Sequence, residues 1–219
     1  MRPLLPLLLV LALPACAGYG PADPGARPAA APAPIRVVPP IGSDDDAGAA
    51  ADPVAYLAAR GLIVPVAGVD GTGLRDSFTA GRDGGARQHN AIDIMAARGT
   101  PVLAADDGRI LRLRRSPLGG ITIYATDPDG RLVYYYAHLD GYHDRIAQGM
   151  AVTRGDTLGY VGSTGNARSN EPHLHFQVMR MPSDPRRYWD GEPINPFPML
   201  VAGAARAAAG VTQAGDERP

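Results

Sequence analysis

Four of the five histidines in the 219-residue chain stand at spacings that could gather them around one point. His173 and His175 are two residues apart, and on a strand that spacing puts both imidazoles on one face, roughly 6.6 Å apart at about 3.3 Å per residue. His89 and Asp93 are four residues apart, which also places two side chains on one face of a helix or a strand. His138 is expected at the end of a strand, so all four histidines could meet at one site.

These residue types are typical of a catalytic zinc site, in which three His or carboxylate ligands bind the metal and the fourth position is left to water. His89, Asp93 and either His173 or His175 supply that set, and spacing alone does not decide between the last two. The remaining histidine of the pair and His138 would then lie beside the metal, where an imidazole can take or give a proton. Because zinc lowers the pKa of bound water to about 7, hydroxide becomes available at neutral pH. The pattern therefore predicts one zinc ion per chain.

Short strands with frequent glycine turns must position these residues within residues 62–200. Residues 101–105 and 109–115 flank Asp106-Asp107-Gly108 and predict one hairpin, and residues 120–126 and 131–139 flank Asp127-Pro128-Asp129-Gly130 and predict a second. Further strands are predicted over residues 62–66, 157–162 and 173–179. Because helical periodicity is nearly absent in this region, we expect a mainly β, antiparallel domain.

The N-terminal residues are typical of a bacterial export signal. An apolar run of about 12 residues follows Arg2, short of the roughly 20 that span a bilayer as a helix. The run ends in Leu13-Pro14-Ala15-Cys16, which is similar to a lipobox, so residues 1–16 are interpreted as a signal peptide with Cys16 as the lipidation site. The alternative is cleavage at an A-x-A site, Ala15-Cys16-Ala17, which would give a soluble secreted protein. We expect a protein of the cell envelope, periplasmic and lipid-anchored in the first interpretation.

The rest of the chain divides into a linker, a domain and a tail. Residues 17–52 are rich in Pro, Ala and Gly with almost nothing to bury, so a disordered tether is expected. Residues 53–200 are expected to form the metal-binding domain, which begins with a short helix over residues 53–60 closed by Gly61. Residues 201–219 are Ala-rich and are expected to form a flexible tail or a frayed helix.

Composition excludes several classes of function. All 21 basic residues are arginine, so Schiff-base enzymes, P-loop phosphate clamps and lipoyl or biotinyl carriers, which need a lysine amine, are excluded. A net charge of −1 argues against a protein that depends on bulk attraction to nucleic acid. The single cysteine excludes an internal disulfide framework and a multi-cysteine zinc ribbon.

Three blocks of the sequence resemble the lysostaphin/LytM-type zinc metallopeptidases: H-N-A-I-D-I-M-A-A-R-G-T-P-V, Y-Y-Y-A-H-L and G-S-T-G-N-A-R-S-N-E-P-H-L-H-F. They occur in the order of that family, and the resemblance makes residues 53–200 a zinc metallopeptidase domain. It implies a compact, barrel-sandwich-like β core in which His89, Asp93 and His175 hold the zinc ion. It further implies that His173 and His138 are the catalytic pair, as general base and as stabiliser of the tetrahedral intermediate.

The family cleaves peptide bonds in the cross-links of bacterial peptidoglycan, so the resemblance implies an exported endopeptidase whose substrates are peptidoglycan stem peptides. The lipobox-like anchor favours a D-alanyl–diaminopimelate bond as the target. Tyr136, which would share a face with His138, and Asn90 are the candidate substrate contacts. No nucleic-acid partner is expected, the membrane is reached only through the lipid anchor, and an envelope regulator is a candidate partner. The alternative is an inactive LytM-type module that binds and activates another cell-wall hydrolase.

Overall fold

Antiparallel strands dominate the computed structural model, which describes residues 52–214. Its helices and strands, in chain order, are α1 (Pro53–Arg60), β1 (Gly81–Arg82), β2 (Arg87–Gln88), β3 (Ile92–Met95), β4 (Pro101–Leu103), β5 (Gly108–Ser116), β6 (Gly120–Thr126), β7 (Leu132–Tyr142), β8 (Ala151–Val152), β9 (Thr157–Val161), β10 (His173–Arg180), β11 (Glu192–Ile194) and α2 (Phe197–Ala214). Within the described residues, β1 and β2 pair with each other and the other nine strands form one sheet. The expectation of a mainly β, antiparallel domain is confirmed.

The large sheet is organised around β7 and β10. Its main path runs β11-β10-β7-β6-β5-β8, while β3 pairs with β10, and β9 pairs with both β7 and β4. Apolar side chains from these strands form the core, with Ile92, Leu174 and Phe176 all fully buried. β10 therefore joins β3 and β7, the two strands on which Asp93 and His138 lie, and brings distant parts of the chain together.

The hairpin predicted over residues 120–139 is present as β6 and β7. Its turn is held by Asp127, a buried residue whose carboxylate accepts hydrogen bonds from the backbone N–H groups of Arg131 (2.8 Å) and Leu132 (2.7 Å). Gly130 supplies the positive φ of 70° that the turn needs. Local turn chemistry was therefore sufficient to identify this hairpin.

The hairpin predicted across Asp106-Asp107-Gly108 is wrong. β4 pairs with β9, and β5 pairs with β6 and β8, so the two flanking segments do not pair with each other. The physical reason lies in Asp106, whose carboxylate is completely buried and accepts hydrogen bonds from Arg60 (2.6 Å) and Arg154 (2.6 Å). Asp106 therefore anchors other segments to the interior of the domain, although Asp107 beside it is exposed, and no hairpin turn joins β4 to β5.

The short helix predicted over residues 53–60 is present as α1. Asp52 accepts a hydrogen bond from the N–H of Val54 (3.0 Å) at its start, and Gly61 ends it with φ 65°. Leu57 is fully buried, and Arg60 forms the ion pair with Asp106. α1 is thus packed against the sheet, and its sequence signals for start and stop were both informative.

The ends of the domain differ from expectation. Residues 62–66 do not form a regular strand, although an isolated bridge joins Val66 to Val102 and the N–H of Leu103 donates to the Pro65 carbonyl at 3.0 Å. α2 begins before residue 201 and continues to Ala214, and a Cβ atom on Gly203 would lie 1.9 Å from the Leu62 carbonyl oxygen, so this part of the expected tail packs closely against the domain. The expected signal peptide with Cys16, the linker up to residue 51 and residues 215–219 lie outside the described residues. Among the residues that are described, no helix has the length and apolar character to cross a membrane.

Candidate metal centre

Three of the predicted ligands converge on one point. The Nε2 atom of His89 lies 2.9 Å from Asp93 Oδ1 and 3.0 Å from His175 Nδ1, and the last two atoms are 3.1 Å apart. The pairing of β3 with β10 causes this convergence, because Asp93 and His175 are directly opposite each other in the register. Two segments separated by about eighty residues therefore meet across a single strand pair.

His89 is held by a network centred on Ser77. Its Nδ1 atom lies 2.9 Å from the backbone carbonyl oxygen of Ser77, which can only accept a hydrogen bond, so Nδ1 carries the proton. The Ser77 hydroxyl accepts from the N–H of Asp93 (3.1 Å) and donates to the carbonyl of Ala91 (3.2 Å). Asn90, directly after His89, has a left-handed φ of 57° that turns the chain into β3. Ser77 thus helps to orient His89 and Asp93, two of the three converging side chains.

The hydrogen-bond inventory of this group fits a cation. In the neutral form of His89, with the proton on Nδ1, Nε2 has only a lone pair, and this lone pair faces the Asp93 carboxylate at 2.9 Å. Two acceptors at this distance repel each other unless a proton or a metal ion lies between them. The spacing of 2.9–3.1 Å among the three atoms is slightly below the about 3.4 Å edge of a tetrahedral site with about 2.1 Å bonds. One carboxylate and two imidazoles are also a donor set that suits zinc.

Two further histidines stand beside the group with their ring orientation fixed. The Nδ1 atoms of His173 and His138 each lie 2.8 Å from a backbone carbonyl oxygen, that of Glu171 and that of Thr164 respectively. Nδ1 must therefore be the protonated nitrogen of each neutral ring, which leaves Nε2 as an acceptor. His173 Nε2 lies 3.8 Å from Asp93 Oδ1, and the two rings are 5.0 Å apart.

A bulge in β7 brings His138 to this site. Ile121 pairs with Leu139 but Ile123 pairs with Tyr136, so β7 has one more residue than β6 between these pairs. His138 has a left-handed φ of 62°, which is uncommon for a residue other than glycine. The alternation of side chains is therefore interrupted just before His138.

This bulge corrects the expectation for Tyr136. Tyr136 is 1% exposed and packs on Phe176, and its hydroxyl accepts a hydrogen bond from the N–H of Ala105 at 3.0 Å. Tyr136 therefore lies in the core and does not line the cleft. The tyrosine that lines the cleft is Tyr135, whose ring makes an edge-to-face contact with His175. Strict period-2 alternation back from His138 selected the wrong tyrosine because the bulge changes the phase.

The protonation states of the site suit metal binding. Burial acts against the charged form of Asp93, but hydrogen bonds and charges from His175 and His89 outweigh it and hold the pKa of Asp93 well below its usual range. Burial lowers the pKa of His138 to about 4, although the Thr164 carbonyl opposes this shift. Burial also lowers the pKa of His175, with Asp93 acting in the opposite direction. These shifts favour an ionised Asp93 and neutral rings at His138 and His175, the forms in which a carboxylate and an imidazole can bind a metal ion.

An open cleft of about 630 Å³ surrounds these side chains. One wall is the β1–β2 hairpin, where Arg82 donates to Asp93 Oδ2 at 2.6 Å and so leaves Oδ1 to face the histidines. The other wall is the loop over residues 163–172, which includes Arg168 and Glu171. Asn90 lines the cleft.

Comparison with known proteins identifies this arrangement. Residues 87–196, which contain His89, Asp93, His138, His173 and His175, match peptidase family M23. The chain belongs to peptidase family M23. The resemblance to lysostaphin/LytM-type proteins that the three sequence blocks predicted is thereby confirmed.

Individual relatives match the M23 domain over part of their length. The cell division protein DipM of Caulobacter vibrioides is 35% identical over 57% of this chain and 18% of its own length. The DD-carboxypeptidase/endopeptidase Mpg of Neisseria meningitidis is 37% identical over 52% of this chain and 23% of its own length. The crystal structure of a LytM protein from Ruminococcus gnavus has a TM-score of 0.51 and 30% identity, covering 61% of this chain and 54% of that one. The chain thus spans about a fifth of these two curated relatives.

Sequence reasoning missed three residues of the M23 site. Ser77 and Arg82 contact Asp93 from segments without any recognisable spacing to it. Tyr135 stands in a run of three tyrosines, and only the position of the bulge selects it.

Proposed function

We propose that this M23 domain is a zinc metalloendopeptidase that hydrolyses peptide cross-links of bacterial peptidoglycan. Zinc would be held, one ion per chain, by His89 Nε2, Asp93 Oδ1 and His175 Nδ1. The observation that carries the proposal is the convergence of His89 Nε2, Asp93 Oδ1 and His175 Nδ1 to within 3.1 Å of one another, in a donor set that suits zinc. The family and the names of the relatives support a peptidoglycan substrate.

In this proposal His173 and His138 act on the proton and on the developing charge. When bound, zinc supplies Lewis-acid chemistry that activates water and polarises a carbonyl group. The His173 ring, whose Nδ1 is held by the Glu171 carbonyl, presents Nε2 to accept the proton of the attacking water and later to deliver it to the leaving amine. The lowered pKa of His138 favours its neutral form, so it donates to the developing oxyanion only after its Nε2 has gained a proton. Proton uptake therefore precedes or accompanies the stabilising role of His138.

The proposal extends to location and to the bond that is cut. The lipobox-like sequence before Cys16 supports a periplasmic, lipid-anchored protein of the cell envelope, with a soluble secreted form as the alternative. A D-alanyl–diaminopimelate cross-link is the proposed target, which agrees with the DD-endopeptidase names of several relatives. Asn90 and Tyr135, which both line the cleft, are the proposed substrate contacts.

The test combines zinc content with cleavage of cross-linked muropeptides by the purified full chain. His89→Ala, Asp93→Ala and His175→Ala should lose both zinc and activity, whereas His173→Ala and His138→Ala should keep zinc and lose roughly 10²- to 10⁴-fold in kcat. His143→Ala is the matched control, because His143 lies outside the cleft lining. A chelator should abolish cleavage and added zinc should restore it. Zinc-loaded wild-type protein that releases no product but stimulates another hydrolase would contradict the proposal.

A further inference from the structure

The outer edge of β3 is unpaired within residues 52–214, where only β10 pairs with this strand. The direction of its backbone groups follows from two hydrogen bonds. The N–H of Asp93 donates to the Ser77 hydroxyl, outside the β3–β10 pair, at 3.1 Å. His173, which lies opposite Met95, donates its N–H away from β3 to the Gly162 carbonyl at 3.1 Å. The N–H and C=O groups of successive residues point to alternate sides of a strand. The backbone groups of Ile94 therefore bond to β10, while those of Asp93 and Met95 point outward, away from β10.

A depression of about 370 Å³ runs along this edge. One side is formed by Asp93, Ile94 and Met95, and the other by the segment over residues 68–75. Val69 and Leu74 of that segment are partly buried apolar residues, and Met95 is 58% exposed. The depression therefore offers outward backbone groups on one side, and on the other side the apolar Val69 and Leu74 together with the charged Asp70 and Arg75.

The depression and the cleft with the metal centre share two lining residues. Asp93 and Met95 line both this depression and the cleft that contains the histidines. Met95 is two residues beyond Asp93, roughly 6.6 Å along the strand at about 3.3 Å per residue. A chain lying along the edge would therefore reach the centre within about two residues. The two shared residues favour an occupant that extends from the cleft into the depression, as a substrate chain bound at the metal centre would.

We propose that the substrate peptide adds to β3 as an extended antiparallel strand, with one of its residues paired to both the N–H and the C=O of Met95. The inference rests on the proposed function, since it places the part of the peptide on one side of the scissile bond along the edge of β3 and the scissile bond itself at the metal centre. Strand addition to an open sheet edge gives affinity through main-chain hydrogen bonds and is independent of most side chains. A stem peptide contains D-residues, so the peptide residue opposite Met95 must still direct both its N–H and its C=O toward Met95 for this pairing to form. The edge thus selects substrates with an extended arm beyond the scissile bond.

Substitution of Met95 separates its backbone N–H from its side chain. Met95→Pro removes the outward N–H, and a proline is compatible with an edge position whose N–H does not bond to the neighbouring strand. Met95→Ala is the matched control that keeps the N–H. For a cross-linked stem-peptide dimer, Met95→Pro should raise KM about tenfold, the effect of one lost hydrogen bond. A blocked dipeptide with the same scissile bond should be cleaved equally by both variants and wild type.

Equal loss of both substrates, or a wild-type KM for the dimer, would overturn the inference. Amide hydrogen exchange on the zinc-loaded full chain with His173→Ala gives a second measurement that needs no cleavage and no substitution at Met95. A saturating stem-peptide dimer should slow exchange at Met95 at least tenfold and leave Ile94, already bonded to β10, unchanged. Unchanged exchange at Met95 with bound dimer would overturn the strand addition. Absence of cleavage by wild type would instead contradict the proposed function.

Discussion

Replacing Asp106 by Asn should destabilise the M23 domain far more than the same change at an exposed ion pair. The Asp106 side chain is completely buried and accepts hydrogen bonds from Arg60 (2.6 Å), Arg154 (2.6 Å) and the Tyr134 hydroxyl (2.8 Å). These partners come from α1, from the segment before β9 and from β7. One carboxylate therefore connects three separate parts of the chain. The substitution keeps the shape of the side chain but removes its charge.

The magnitude follows from burial. Breaking a buried ion pair by removing one partner costs about 3–5 kcal/mol, because the other charge is left without compensation. Arg60 and Arg154 are 20% and 34% exposed, so water can partly solvate them, and the amide oxygen of Asn still accepts one hydrogen bond. We therefore expect a loss of about 2–4 kcal/mol in the free energy of unfolding. Asp140→Asn, which removes an exposed pair with Arg98 (42% and 47% exposed), should cost at most about 1 kcal/mol.

The effect should depend on pH in a defined direction. Burial alone would raise the pKa of Asp106, but hydrogen bonds from Arg60, Arg154 and Tyr134 outweigh it and hold the pKa below its usual range. A carboxyl group with a lowered pKa stabilises the folded state fully above its unfolded pKa of about 3.9, and this contribution is lost as pH falls through the folded pKa. The difference between wild type and Asp106→Asn should thus be constant near neutral pH and shrink below about pH 4.

Urea unfolding followed by circular dichroism at pH 7 and at pH 3 measures these differences. Zinc must be present at the same free concentration for all proteins, because metal binding also shifts the unfolding midpoint. If Asp106→Asn changed the free energy of unfolding at pH 7 by no more than Asp140→Asn does, the assignment of Asp106 as a buried anchor would be refuted. A difference that grew as the pH fell would refute the sign of the pKa argument.

Three further outcomes are expected. Zinc at a thousandfold excess over Kd should stabilise the domain by about 4 kcal/mol and raise Tm by roughly 8–16 °C in calorimetry, and His175→Ala should show no such shift. Ser77→Ala removes the hydroxyl that bonds to the Asp93 N–H, and should weaken zinc binding about tenfold in competition with a chelating dye; unchanged affinity would contradict the role of Ser77. Gly120→Ala would place a Cβ atom 2.1 Å from Thr164 Oγ1, so it should lower the free energy of unfolding by at least about 2 kcal/mol and also lower kcat, because it displaces the Thr164 carbonyl that orients His138. Gly130→Ala is the control, also at positive φ but with nothing within 4 Å, and it should lower the free energy of unfolding by about 1 kcal/mol and leave kcat unchanged.

Local features of the sequence predicted most of the strands and the residues that form the site. His173 and His175 lie two apart on β10 as expected, and the turn at Asp127 is specified by residues within five positions of one another. What sequence could not supply was the pairing of β3 with β10, which sets Asp93 opposite His175 across about eighty residues. Pairing between distant strands depends on the packing of the whole sheet, and no local spacing records it.

Two errors arose where a polar group is buried or an alternation is interrupted. Asp106-Asp107-Gly108 has the composition of an exposed turn, but the charge of Asp106 is neutralised by arginines that are distant in sequence. Tyr136 was selected by counting back two residues from His138, although the bulge in β7 changes which face each residue occupies. In both cases a long-range contact outweighed a local pattern, which is expected where the chain is adapted to build a site.

The sheet and the loops contribute different parts of the metal centre. The β3–β10 register fixes the positions of Asp93 and His175, but a register does not determine which nitrogen of an imidazole carries its proton. That choice is made by backbone carbonyls in loops, those of Ser77, Thr164 and Glu171, each within 2.9 Å of an Nδ1 atom. Because these carbonyls can only accept, they hold three rings in the tautomer whose Nε2 is free to bind a metal ion or a proton. The loops therefore determine the chemistry of residues that the sheet and its adjoining turns have brought together, and substitutions that shift a loop should reduce activity without removing any ligand.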